Sequence, residues 1–373
     1  TISTASLIVP ALGIGYAVQS PQTPYLIFLV LALLCGLGGG NFASSMANIS
    51  YFFPKAEKGN ALALNAGLGN LGVSVMQFLV PIVITTGVFG ALGGQPQPMS
   101  AGGQLWMQNA GFVWVPFIIA ATNAAWLGMN DIADAKASFG EQAVIFSRKH
   151  NWLMCILYTG TFGSFIGYSA GFPLLAKLMF PQVNALQFVF LGPLVGALSR
   201  AGTGWVADRF GGGRVTLWTF VGMIVAVFGV ISFLPSGGGA GSFAGFFAAF
   251  MVLFFLTGVG NASTFQMIPI IMGREIPRLM PKLGRDDQLR QAGRESAAII
   301  AFTSAIAAFG AFFIPKAYGS SIAMTGSPVA ALWGFLGFYV LCVVLTWVYY
   351  TRRGGLLHDI EHGRGVRAAA QSI

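Results

Sequence analysis

The sequence predicts an all-α, polytopic membrane protein, and three observations carry that reading. Hydrophobic residues make up 55% of the 373 and charged residues only 8%. The apolar runs are long enough to cross a hydrocarbon core of about 30 Å, which takes about 20 helical residues. Lys and Arg cluster on alternate connections between those runs, the pattern that orients membrane helices.

Ten spans follow in order. Residues 3–19 form an uncharged apolar run that stops at Ser20-Pro21, and 24–53 continues to Pro54-Lys55. The run 59–88 holds several glycines and Pro81, and reads as one tilted or bent helix, since neighbours in a bundle satisfy the backbone groups that Pro and Gly free. An uncharged Gly-, Pro- and Gln-rich connection, 89–110, leads to 111–130. The run 150–179 ends at Pro181, 184–206 at Asp208, 214–234 at the Gly-rich 235–242, and 243–272 at Arg274. A basic connection, 274–294, expected as a solvated linker, precedes 295–317 and 327–351.

Orientation follows from the charges. One set of connections holds Lys55 and Lys58; Lys136, Arg148 and Lys149; Arg209 and Arg214; Arg274, Arg278, Lys282, Arg285, Arg290 and Arg294; then Arg352, Arg353, Arg364 and Arg367. The connections 20–23, 89–110, 180–183 and 235–242 hold none. Both ends of the chain are therefore expected on the cytoplasmic side, and the net charge of +9 reflects topology and not nucleic-acid binding. Cys35, Cys155 and Cys342 fall singly in different spans, so neither a metal site nor a disulfide framework is indicated, and no cofactor is implied.

Three of the 20 basic residues remain: Lys177, Lys316 and Arg200. The lysines lie near the outer ends of their spans, where a long side chain snorkels to the interface. Arg200 is different, because eight residues, about 12 Å of helix, separate it from Asp208, too far for an ordinary ion pair along one helix. Every acid falls in a cytoplasmic connection or at its edge, so no carboxylate is expected at membrane depth. A buried cation without a buried anion calls for an anionic substrate.

Two segments repeat. Gly38 to Ser44 reads GGGNFAS and Gly258 to Thr264 reads GVGNAST, each ending an apolar run before a basic connection. The offset of 220 suggests two halves related by an axis along the membrane normal. Aligning the halves leaves six spans in the second and four in the first. The pattern predicts a twelve-helix plan of which ten helices are present, the first two lying before Thr1.

The segments NFASSMANISYFFPK (41–55), LNAGLGNLGVSVMQ (64–77), GMNDIADAKAS (128–138), TFGSFIGYSAGF (161–172) and FFIPKAYGSSIAMTGSP (312–328) resemble the nitrate/nitrite porter family of the major facilitator superfamily. WVADRFGGGR, after Gly204, is similar to the superfamily's cytoplasmic signature between helices 8 and 9. The Gly-rich segment around Asn70 resembles the family's nitrate signature on helix 5, and TSAIAAFGAFFIP (303–315) is a poorer counterpart of the second signature on helix 11. The resemblance implies the superfamily fold in four parts: an N-terminal half at 1–130, a central cytoplasmic loop at 131–149, a six-helix half at 150–351 and a cytoplasmic tail at 352–373.

It also implies nitrate and nitrite as substrates, a lipid bilayer as surroundings and a monomer. Arg200 matches one of two family arginines that bind the anion, the other lying on helix 2. Phe42, Asn70, Tyr158 and Phe162 match further pocket positions. A guanidinium offers a planar fork of donors to two oxygens of a planar anion, and aromatic faces can enclose it. Gly67, Gly69, Gly258 and Gly260 would let helix backbones approach and slide between inward and outward states. Secondary transport, with nitrate/nitrite antiport first, is the expected activity. Proton-coupled symport, an anion channel and a nitrate sensor without turnover remain as alternatives.

Enzyme-like strings carry less. GYSAG (167–171) fits a nucleophile elbow, but it lies within a helix and no membrane-depth His or acid could complete a triad. HDIEH (358–362) fits a metalloprotease string, but no third ligand follows it. GLGGGN (36–41) lacks the βαβ context of a dinucleotide site.

Overall fold

A computed structural model describes residues 1–53, 55–99, 103–130, 139–235 and 241–359. Among these, nine helical runs are long and apolar enough to cross a membrane: Tyr25–Met46, Leu64–Val83, Asn109–Gly128, Lys149–Met179, Ala185–Gly202, Gly212–Phe233, Phe243–Leu279, Arg285–Thr325 and Val329–Thr351. A shorter apolar helical segment, Ile2–Ala17, precedes them. Together they fall on the ten runs read from composition.

Two features depart from the sequence reading. The 274–294 connection is mostly helix. The Phe243–Leu279 helix continues through Arg274 and Arg278, and the next helix starts at Arg285. Arg, Lys, Glu and Gln are good helix formers, so charge marks where an apolar face ends without ending the helix. The second departure is at Thr159–Gly163, where one π turn interrupts the Lys149–Met179 run.

The chain divides into two compact units, Thr1–Asn48 with Val75–Lys136, and Ile49–Ser74 with Ala137–Ile373. In the first, close backbone contact sets the packing. A Cβ on Gly111 would meet the backbone of Ala11 and Gly15, and one on Gly15 would enter the Phe112 ring. The buried Asn109 amide donates to the carbonyls of Val83 and Thr86, and Gln108 donates to those of Gly93 and Gln95. These bonds tie down the long connection, whose two short strands pair Gln97 with Leu105 and Pro98 with Gln104.

The second unit holds the larger core. Phe172 packs among Phe246, Phe250 and Phe254 at ring-centroid separations of 4.7 to 6.0 Å. The Ser164 hydroxyl lies 2.7 Å from the Tyr339 hydroxyl, which also meets Tyr168. Gly163 and Gly310 cross backbone to backbone, leaving no room for a Cβ at Gly310. At one end, Arg148 donates two hydrogen bonds of 2.7 Å to Glu295. Glu295, at the edge of the basic 274–294 connection, is 2% exposed and is neutralised locally by that guanidinium.

Candidate functional site

Arg200 sits near the end of the Leu191–Gly202 helix and is 3% exposed. Helices on both sides hold it. A Cβ on Gly258 would collide with Ser199 Oγ and the Gly196 carbonyl, so the Phe243–Leu279 helix lies directly on the backbone that carries Arg200. On another side, a Cβ on Gly67 would lie 2.7 Å from Ala201 Cβ, and Ser74 Oγ donates to the Phe190 carbonyl at 2.9 Å. Asn70 lies between those two contacts on the same helical face, and its Nδ2 is buried without a hydrogen-bond partner.

The guanidinium itself is under-satisfied. Nη2 donates to the Tyr158 hydroxyl at 3.1 Å, whereas Nη1 is buried with no partner. Among the described residues the carboxylate contacts to basic side chains are Glu295 with Arg148 and Glu275 with the His150 imidazole, so none of them neutralises Arg200. A Lys or Arg charge at the centre of a membrane helix costs roughly 3 kcal/mol on insertion scales. The surroundings offset part of this through ring faces: Arg200 Cζ is 5.6 Å from the Phe162 ring centroid and 5.8 Å from that of Phe265.

Tyr158 and Phe162 stack, with centroids 5.1 Å apart and planes inclined by 16°. The π turn begins between them, at Thr159. Tyr158 also lies 6.5 Å from Phe265. The result is a cation facing two aromatic rings and one phenol hydroxyl, with a spare Nη1 donor and no carboxylate partner among the described residues. Such an arrangement suits a small, flat oxyanion.

The sequence-predicted residues separate on placement. Arg200, Tyr158 and Phe162 come together, and Asn70 lies on a helix packed against that of Arg200. Gly67, Gly258 and Gly260 occupy close crossings, Gly260 against Thr161 and Thr219, whereas Gly69 has nothing within 4 Å of where a Cβ would stand. Phe42 belongs to the first unit, on the Gly40–Phe52 helix. GMNDIADAKAS from residue 131 onward and HDIEH beyond Asp359 lie outside the described residues.

The sequence reading missed Phe265, which faces Arg200, and passed over Asn261, one turn before it on the same helix, which is fully buried with neither amide atom partnered. The signal was the GVGNAST repeat itself, which contains one and immediately precedes the other.

Residues 1–278 match the family model described as Major Facilitator Superfamily. The chain is 53% identical over 356 residues to the nitrate/nitrite transporter NarU of Salmonella typhimurium, covering 94% of this chain and 76% of that protein. It is 39% identical over 362 residues to a probable nitrate/nitrite antiporter of Thermus thermophilus, covering 95% and 77% respectively. Among solved structures, the Escherichia coli fucose:proton symporter superposes with a TM-score of 0.54 at 13% identity, over 92% of this chain and 82% of that one, a likeness of fold. On the extent of the family match, and on identity to NarU across nearly the whole chain, this protein belongs to the nitrate/nitrite porter family of the major facilitator superfamily.

Proposed function

We propose that the protein is a transporter, not an enzyme, and that it exchanges nitrate for nitrite across the bacterial inner membrane by alternating access, with both ends of this chain cytoplasmic. One observation carries the reading: the buried Arg200 guanidinium has a free donor and no carboxylate partner among the described residues. Nitrate does not protonate at cellular pH, so a carrier must take it as a charged, planar ion. Arg200 supplies the charge and a planar fork, and Tyr158 holds that fork in orientation. Phe162 and Phe265 exclude water from it, and Asn70 adds an amide donor. Its relatives, a nitrate/nitrite transporter and a probable nitrate/nitrite antiporter, support the choice of substrate, and the basic connections support the orientation.

The test is counterflow in proteoliposomes made from the full-length protein. Labelled nitrate uptake is expected to depend on nitrite or nitrate inside the vesicle. Uptake into empty vesicles driven by a proton gradient would replace antiport by symport. Conductance without counter-substrate would indicate a channel, and binding without flux a sensor.

A further inference from the structure

Asn261 is fully buried on the Phe243–Leu279 helix, yet neither its Nδ2 donor nor its Oδ1 acceptor has a partner. Its direction follows from its neighbours on the helix. Gly260 and Thr264 face the π turn: a Cβ on Gly260 would lie 2.5 Å from Thr161 Cγ2, and the Thr264 hydroxyl is 3.2 Å from that of Thr161. Gly258 and Phe265 face the Arg200 helix, the first against Ser199 and the second with its ring 5.8 Å from Arg200 Cζ. At about 100° per residue, Asn261 lies about 60° round the helix from Thr264 and about 40° on the other side from Phe265. That direction lies between the π turn and the Arg200 helix, next to the Phe265 face that Tyr158 and Arg200 reach.

We infer that Asn261 is a further substrate-binding residue, one that selects nitrate over nitrite. The inference rests on the anion-binding role proposed for Arg200. A planar fork engages two oxygens, which accounts for both oxygens of nitrite but leaves the third oxygen of nitrate unbound. A neutral amide donor nearby can meet that oxygen without adding a second charge. The discrimination follows from desolvation: a buried donor left unpaired penalises whichever anion cannot reach it.

The test compares Asn261→Leu and Asn261→Asp with the full-length wild type in proteoliposomes, with thermal stability in detergent measured in the absence of anion. Leucine keeps the volume and removes the donor, so substrate-free stability should hold or rise. The KM for nitrate should increase about tenfold, and that for nitrite by less than about threefold. Aspartate keeps the shape, reverses the electrostatics and should abolish nitrate-dependent stabilisation. A leucine variant with unchanged nitrate KM, or with equal losses for both anions, would overturn the inference, as would losses that track a lowered melting temperature. Should the leucine variant not fold, unaltered nitrate affinity in the aspartate variant would overturn it equally. Failure of the wild type to exchange nitrate at all would instead overturn the functional reading, and this inference with it.

Discussion

At the scale of single residues, the proposed anion site centres on Arg200. Its Nη2 is tethered to Tyr158 and its Nη1 has no hydrogen-bond partner, so the fork is oriented with a donor to spare. Arg200→Lys keeps the charge and replaces a planar fork by a point donor that cannot engage two oxygens at fixed geometry. Nitrate flux in proteoliposomes should fall at least about tenfold, as loss of a charge-assisted hydrogen bond of about 1.5 to 3 kcal/mol requires. Expression and melting temperature should stay near wild type, and near-normal flux in the lysine variant would refute the geometric role. Arg200 was legible in the sequence because a lone cation in an apolar run is costly and therefore conspicuous. Tyr158 and Phe162 were legible through the family resemblance, and their shared face through i, i+4 spacing. Phe265 and Asn261 were not, because a Phe or an Asn on a bundle-facing stripe reads the same whether it packs or binds.

At the scale of helices and their crossings, the glycines divide by what stands opposite. Gly→Ala within a helix ordinarily gains about 0.5 to 1 kcal/mol from backbone entropy. Gly69 has open space around it, so Gly69→Ala should hold or raise the melting temperature. Gly258 lies on the backbone of the Arg200 helix, where a methyl meets Ser199 Oγ and the Gly196 carbonyl. Gly258→Ala should therefore lower stability by about 1 to 3 kcal/mol, as overpacking does, and displace Arg200 with it. Thermal unfolding of both variants checks the contrast, and equal behaviour would show that the crossing yields. A second element-scale expectation concerns Glu295, whose hydrogen bonds hold the Arg148 guanidinium above its ordinary pKa and join two helices. Glu295→Gln removes the charge and one acceptor, and should cost about 2 kcal/mol in unfolding free energy. Among the described residues hydropathy located the nine runs long enough to cross a bilayer, because bilayer thickness sets a length that composition must meet, whereas its first predicted span is the shorter Ile2–Ala17 segment. It could not locate the helix ends at 274–294, where helical propensity outlasts hydrophobicity, and it carried no sign of the π turn at Thr159.

At the scale of the whole molecule, the question is what drives the anion. Entry of one negative charge against an inside-negative potential costs about 2.3 kcal/mol per 100 mV. Proton symport would offset this with a titratable group that changes exposure between the two states. Among the described acids, buried Glu295 is bound by both guanidinium contacts of Arg148, and Glu275 lies 3.8 Å from His150. Neither carboxylate meets Arg200. One-for-one exchange of singly charged anions instead moves no net charge, so the membrane potential does no work on the cycle. It requires that the empty carrier reorient slowly, and on the proposed reading Arg200 would supply the reason: without its anion, the cation would have to pass through the closed state unneutralised. Nitrate uptake into vesicles loaded with nitrite should therefore be insensitive to an imposed proton gradient and to a potassium-diffusion potential, and should be nearly absent from empty vesicles. Removing the charge adds a diagnostic. In Arg200→Gln, any residual flux should lose its dependence on internal anion, because the barrier to empty reorientation goes with the guanidinium. Residual flux that still demands internal nitrite would place the exchange requirement elsewhere in the protein.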